Sequence, residues 1–372
     1  MRRVSRGVVG ATLILVAGTA VAAGSSVVFY GVADTFVQYL NNGGTHSISQ
    51  RSGGASGSSF GLTGSEDLSG RLQAKFNVEG GFNLNSGTLL ADTTALFYRQ
   101  SWVGLMHAKY GSLTLGRQYE PSFIITYPVD PFHLNENLSL VAADVLSVDR
   151  ATLSTQYDGG RASNSIMYQS PELFGARLYG MYAFSATVTQ PVPVTTGNVL
   201  NVGASYTSGG FYAGVAYVNQ HPGRATITGL PATLGLMQTE HFNGALAYRI
   251  GIVNLQFSYS YVRPDTAPAG SLAARLGTAH AYNTAQVGAT IQATSADTIA
   301  LAASQRNVRG VDDNAPAFEI GVDHLLSKRT SVYARAGYIK NNGAATISWP
   351  GITVQEHGTK QVLAAIGFAH RF

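Results

Sequence analysis

Charge is scarce in this 372-residue chain, at 12% of residues, so the places where acids and bases gather stand out. Arg99 and Arg117 precede the segment Tyr119–Gly160 and Arg161 follows it directly. The segment itself carries Glu120, Asp130, Glu136, Asp144 and Asp149, together with three prolines. Fixed charges need no nucleophile to be useful. Set around a watery passage with low-dielectric walls, they create a field that sorts ions. Other chemistry is poorly supplied. The nine histidines are scattered, with no pair at the spacing of a local metal site. The glycine-rich Gly53–Gly61 opens no helix and makes a poor phosphate cradle. A GxSxG nucleophile elbow is absent. Asp312 and Asp313 are two acids, too few for a calcium loop. No catalytic group, metal or cofactor is expected, and the chain reads as a non-enzyme.

The elements that must hold these charges are strands. Arg71–Asn83 reads RLQAKFNVEGGFN. Leu72, Ala74, Phe76, Val78, Gly80 and Phe82 fall at one parity, opposite Gln73, Lys75, Asn77, Glu79 and Gly81. A strand sends these two sets to opposite faces. Strands in soluble sandwiches run about five or six residues, whereas about 9–11 tilted residues cross a bilayer. The long run with one polar face therefore predicts a transmembrane barrel strand, with Lys75 and Glu79 lining a lumen.

Sixteen such runs can be marked out. They are Val27–Leu40, Ser58–Glu66, Arg71–Asn83, Leu96–His107, Ser112–Gln118, Asn164–Ser170, Arg177–Ala186 and Leu200–Thr207. Then follow Phe211–Gln220, Glu240–Ile250, Val253–Arg263, Ala279–Gln292, Thr298–Asn307, Ala317–Leu326, Thr330–Lys340 and Thr359–Phe372. The count is even, and short connections such as Ser208–Gly210 alternate with long ones such as His221–Thr239, as in outer-membrane barrels. Asn41–Gly57 reads as a Gly/Ser/Asn-rich loop, and no segment shows a helical period. In the last strand, Ile366, Phe368, His370 and Phe372 share the outward parity.

Residues 1–24 read as a secretory signal peptide: Arg2, Arg3 and Arg6, an apolar run, then small residues around Ala22–Gly24. Residues 25–372 then form a single barrel domain. Taking the three leader arginines from the 24 Lys and Arg leaves 21, against 20 Asp and Glu, so the basic balance of the whole chain does not argue for nucleic acid. Without Cys, disulfides and thiol chemistry are excluded.

Several segments resemble the general trimeric porins of Gram-negative outer membranes, most closely the Burkholderia, Bordetella and Neisseria branch. They are SSVVFYGVAD, FGLTGSEDLSGRLQAKFNVEGGFN, FYRQSWVGL, KYGSLTLGRQYEP, RASNSIMYQSPELFG and the terminal GFAHRF. The resemblance implies a 16-stranded antiparallel transmembrane β-barrel, all-β, assembled as a homotrimer in outer-membrane lipid and lipopolysaccharide. It implies passive diffusion of ions and small hydrophilic solutes, and insertion by the barrel-assembly machinery through the Phe372 strand. The third external loop, about 119–160, would fold into the lumen. Its acids would face wall residues Arg99, Arg117 and Arg161, which match family positions. Basic residues common elsewhere in the family are replaced here by Val32 and Ser59, so the basic ladder is thin and the lean toward anions weak. Arg117 shares parity with Leu113 and Leu115, which requires either a bulge or a position above the bilayer.

The resemblance also places the trimer contact on the first and last strands, where Gly31, Ala33, Ala364, Ala365 and Gly367 would allow close approach. One alternative is a substrate-specific channel with a binding track in the lumen, for which Tyr179 and Tyr333 are the only aromatic hints. Another is a barrel lipase, protease or adhesin, for which the chain offers no motif.

Overall fold

The computed structural model describes residues 25–372 apart from 92–93, 157–158, 186–196, 227–229, 353 and 355. The leader expected over residues 1–24, and most of the expected loop at 187–199, lie outside the described residues. The strands are β1 (Ser26–Asn42), β2 (Thr45–Ser52), β3 (Ser59–Asp67), β4 (Leu72–Gly81), β5 (Gln100–His107), β6 (Gly111–Tyr119), β7 (Arg161–Gln169), β8 (Ala176–Ala183), β9 (Val199–Ser208) and β10 (Phe211–Gln220). The short β11 (Gly223–Ala225) and β12 (Leu234–Leu236) pair only with each other. Then come β13 (Thr239–Ile250), β14 (Val253–Pro264), β15 (Tyr282–Gln292), β16 (Asp297–Val308), β17 (Asn314–Leu325), β18 (Thr330–Lys340) and β19 (Lys360–Arg371).

Each wall strand pairs antiparallel with the next, and β19 returns to β1, from Val32↔Arg371 to Asn42↔Gln361. The sheet closes on itself. Its 17 strands make sixteen wall positions, because β2 and β3 lie end to end along β1. This corrects the expectation of a plain loop at Asn41–Gly57. A two-residue turn at Gly43 and Gly44, both at positive φ, sends the chain straight back as β2. The alternation is invisible in the sequence because Ile48 is the only large apolar side chain in THSISQRS.

Between β2 and β3 the chain leaves the ladder, and its backbone N–H groups converge on one carboxylate. Gly54, Ala55 and Ser56 donate to Asp34 at 3.1, 2.8 and 2.7 Å, and the Tyr333 hydroxyl donates to it at 2.5 Å. The side chain of Asp34 is thus fully used, which is how a buried carboxylate is tolerated.

The parity argument describes the wall well. On β14, Leu255, Phe257 and Tyr259 are exposed on the outer face while Gln256 and Ser258 are buried inside. On β19, Ile366 and Phe368 face outward. The Phe372 ring sits 5.6 Å from that of Phe29 and against Gly31, whose missing Cβ makes room for it. Two of the small residues expected at the trimer contact fall on the wrong row. Ala365 is buried on the inner face, and Gly367 packs against the inward Tyr333 ring. Period two decides the first of these, since Ala364 and Ala365 must point opposite ways.

Three short helices occupy connections, contrary to the expectation of none: α1 (Pro121–Thr126), α2 (Leu140–Leu146) and α3 (Leu272–Leu276). At six, seven and five residues they are too short to display a helical period. Their termini carry the signals. Pro121 opens α1, and Ser139 caps α2 by accepting from the Ala142 N–H. Inside the wall, Phe36 and Leu40 of β1 join Phe132, Leu138, Leu140, Trp349 and Leu363 in one apolar cluster.

Candidate functional site

The described residues from 120 to 156 pack against inward-facing side chains of successive strands. α1 lies on β9 and β10. Ile125 is pressed so close to Gly203 and Gly214 that a Cβ on either would clash with it. Tyr212 donates to the Ile125 carbonyl at 2.8 Å, and Asn201 donates to Glu120 at 3.0 Å. Gln256 of β14 holds the Pro128 carbonyl at 3.0 Å. Gln286 of β15 holds Asp130 at 2.9 Å. The Arg335 guanidinium of β18 lies over the Phe132 ring. The segment therefore follows the inner wall from β9 round to β18, leaving the β3–β7 side to the three arginines.

On that side the charges converge. Arg99, just ahead of β5, donates to Glu79 of β4 at 2.5 Å and to Glu136 of the segment at 3.2 Å. Arg161, the first residue of β7, pairs with the same Glu136 at 2.5 Å. The Tyr119 hydroxyl accepts from both arginines at 3.0 Å, and the Arg161 guanidinium stacks 4.5 Å above the Tyr119 ring. Tyr30 donates to Glu79 and Asn77, both at 2.8 Å. Burial raises the Glu136 carboxyl, but the guanidiniums of Arg161 and Arg99 outweigh it and hold the group at about 2.

Arg117 reaches this neighbourhood through a break in β6. The ladder skips between Gly116 and Gln118, and Gly116 has φ 133°. The bulge lets Arg117 donate to the Tyr98 carbonyl and, at 2.9 Å, to Ser163. Its guanidinium lies 4.6 Å over the Tyr98 ring. Of the two ways to reconcile its parity, the bulge is the one realised.

The five acids expected at the site separate into distinct settings. Only Glu136 meets Arg99 and Arg161. Glu120 is bound to Asn201, and Asp130 accepts from the Leu134 N–H at 2.7 Å and Ser139 at 2.8 Å, so it organises its own segment. Asp144 and Asp149 share Arg306 of β16, at 2.9 and 2.6 Å. Burial raises both carboxyls. For Asp149 the Arg306 charge and several hydrogen bonds win and bring it below the usual range, whereas for Asp144 burial wins and it stays above. Lys75 lies on the inward row with Asn77 and Glu79, half-buried.

Sequence reasoning misses Arg306, although its parity with Ala300 and Ala302 marks it as inward. Arg51 is hidden in the stretch expected to be a loop. It donates to Asn137 at 2.8 Å and to the Pro350 carbonyl at 2.7 Å. The two aromatic hints are both engaged elsewhere, Tyr333 with Asp34 and Tyr179 in the apolar cluster around Ile125.

Comparison with known proteins gives a consistent answer. The family described as Gram-negative porin matches residues 10–344. Outer membrane porin protein 32 of Delftia acidovorans is 27% identical over 97% of this chain and 98% of its own. An outer membrane porin protein of Bordetella pertussis is 26% identical over 96% of this chain and 98% of its own. Among solved structures, an anion-selective porin from Comamonas acidovorans superposes with a TM-score of 0.76 at 24% identity, covering 94% of this chain and 100% of the other. A trimer form of OmpT from Vibrio cholerae superposes with a TM-score of 0.64 at 14% identity, covering 94% and 99%.

Proposed function

From the premise that the chain belongs to the Gram-negative porin family, we propose a pore with a weak preference for anions, narrowed by residues 119–160. As an outer-membrane porin it forms a water-filled channel for passive diffusion of ions and small hydrophilic solutes. The narrowest point lies beside the cluster in which Glu136 of the segment is bound to Arg99 and Arg161 of the wall, with Arg117 next to it. The observation that carries this is the pairing of Arg99 and Arg161 with Glu79 and Glu136, beside an Arg117 held by the Tyr98 carbonyl and Ser163. The other described segment acids are bound elsewhere, to Arg306, Asn201 and their own backbone, so the surplus is local to the arginine side of the lumen. A cluster with one surplus positive charge in a low-dielectric ring lowers the barrier for chloride more than for potassium.

The working unit is a homotrimer in lipid and lipopolysaccharide. Exposed Val37, Val322, Val332, Ile366 and Phe368 on the outer face of β1 and β17–β19 supply the contact surface. The outward Phe372, at the end of β19, is the residue offered to the barrel-assembly machinery.

The test is the zero-current potential in a planar bilayer under a KCl gradient. A mild anion preference that Arg117→Ala reduces is the expected result. A cation preference in the unaltered protein, or an Arg117→Ala variant with the same potential, would reject the assignment.

A further inference from the structure

The inner row of β19 ends on a charge. Leu363, Ala365 and Ala369 are buried on the inner face, and Gly367 packs against the inward Tyr333 ring. Two residues further at the same parity stands Arg371, while His370 and Phe372 fall on the outer row. A contact agrees with the parity. Arg371 donates to the Ser56 hydroxyl at 3.1 Å, and the Ser56 N–H is one of those gathered on the inward Asp34. The Arg371 N–H donates to the Arg329 carbonyl, in the short turn between β17 and β18. Arg371 therefore sits toward the end of the barrel opposite the long connections.

The ladder places it on the same side of the lumen as the arginine cluster. Arg371 pairs with Val32 of β1, Val32 with Ser59 of β3, and Ser59 with Gly81 of β4. Three strand spacings amount to about 14 Å of wall. At the far end of that row, a Cβ on Gly81 would lie 3.3 Å from the Arg99 side chain. A second link runs inside the wall. Gly57 follows Ser56, and a Cβ on Gly57 would lie 2.9 Å from Arg99 Nη1. The Ser56–Gly57 step reaches from one guanidinium to the other.

The charge of Arg371 is uncommitted. Arg99 and Arg161 are paired with Glu136, and Arg335, the inward base of β18, is paired with Asp323 at 2.9 Å. Arg371 is exposed, and among the described residues no carboxylate pairs with it, the chain terminus included. Phe372 at that terminus accepts from the Gly31 N–H at 3.1 Å. The Asp34 carboxylate behind Ser56 is filled by three backbone N–H groups and the Tyr333 hydroxyl. Ser56 takes one of the five guanidinium N–H donors and leaves the rest facing the lumen.

We propose that Arg371 is a further selectivity-determining residue of the pore, a fourth guanidinium that draws anions between the cluster and the short-turn end of the barrel. This rests on the reading of the lumen beside the cluster as an open path that prefers anions. An unpaired fixed charge facing water acts on passing ions of both signs, attracting one and repelling the other, so it shifts the ratio of their permeabilities.

The experiment measures the zero-current potential of single inserted channels of the full-length protein under a KCl gradient. Recordings sample inserted protein alone, so a loss of folding yield in a variant lowers the number of channels and not the ratio. Arg371→Gln should lower the chloride-to-potassium permeability ratio about twofold, with a larger effect at low salt. Arg371→Lys should keep the ratio of the unaltered protein. Arg329→Gln removes the same charge from the exposed adjoining turn and should change the ratio less than Arg371→Gln. An unchanged ratio in Arg371→Gln, an equal fall in Arg371→Lys, or an equal fall in Arg329→Gln overturns the role of Arg371 and leaves the pore reading standing. A cation preference in the unaltered protein, or the absence of current steps, overturns the pore reading and the role of Arg371 with it.

Discussion

Glu136 holds two arginines at once, and its removal has two separable consequences. Glu136→Gln keeps the shape but leaves Arg99 and Arg161 without their shared anion. The pore gains net positive charge, so the zero-current potential should move further toward the chloride limit. The same change should cost about 1–3 kcal/mol of stability, the range for stripping a charged partner from a mostly buried group. Thermal conversion of the folded band on a gel would show it as a lower midpoint. The pH dependence follows from the depressed carboxyl. Its folded value is about 2, against about 4.3 unfolded. Its stabilising contribution is therefore fully present above the unfolded value and is lost as the pH falls through the folded one. The difference in potential between Glu136→Gln and the unaltered protein should hold from about pH 8 to about pH 4 and shrink only toward about pH 2. The two acids on Arg306 are shifted in opposite senses. Asp144 holds its proton above the usual range and Asp149 below it, so Asp149→Asn should lower the thermal midpoint more than Asp144→Asn.

At the scale of elements, the bulge in β6 decides where Arg117 points. A Cβ at Gly116 would collide with the Ser101 carbonyl oxygen, at a φ that L-residues rarely adopt. Gly116→Ala should therefore force the ladder to re-pair or open, at a cost above about 1 kcal/mol. Its expected signature is a loss of anion preference like that of Arg117→Ala, accompanied by a larger fall in thermal midpoint, because the ladder and not one side chain is disturbed. The strands themselves are legible in the sequence because period two needs only apolar and polar residues in turn, as in Val253–Arg263. β2 is not legible, because a strand of small polar residues carries no such contrast. The short helices are hidden for the same kind of reason, as one or two turns cannot repeat a pattern. The charged residues of the segment can be found in the sequence, but not how they pair. Which acid meets which arginine is set by the path of the segment round the wall, and Asp144 and Asp149 share Arg306 because that path passes β16 on its way back.

At the scale of the whole molecule, the outer surface makes its own prediction. The apolar band on β1 and β17–β19 includes Val37, Ile366 and Phe368, all exposed in the single chain. Ile366→Lys places a charge in that band and should convert the proposed trimer into monomers on an unheated gel in mild detergent. If the band only met lipid, the same change would impair insertion, and no folded monomer would accumulate.

The pairing of β1 with β19 also fixes an order of events in time. Residues 32–42 need partners at 361–371, so the first stretch of wall to leave a ribosome must wait for the last. Nothing earlier in the chain can satisfy it on that side. The polypeptide is therefore obliged to travel as an unfinished object, with its final shape withheld until the whole length has been delivered. A protein destined to cross one membrane and settle in another gains from this arrangement, because it has no finished form to be trapped in on the way.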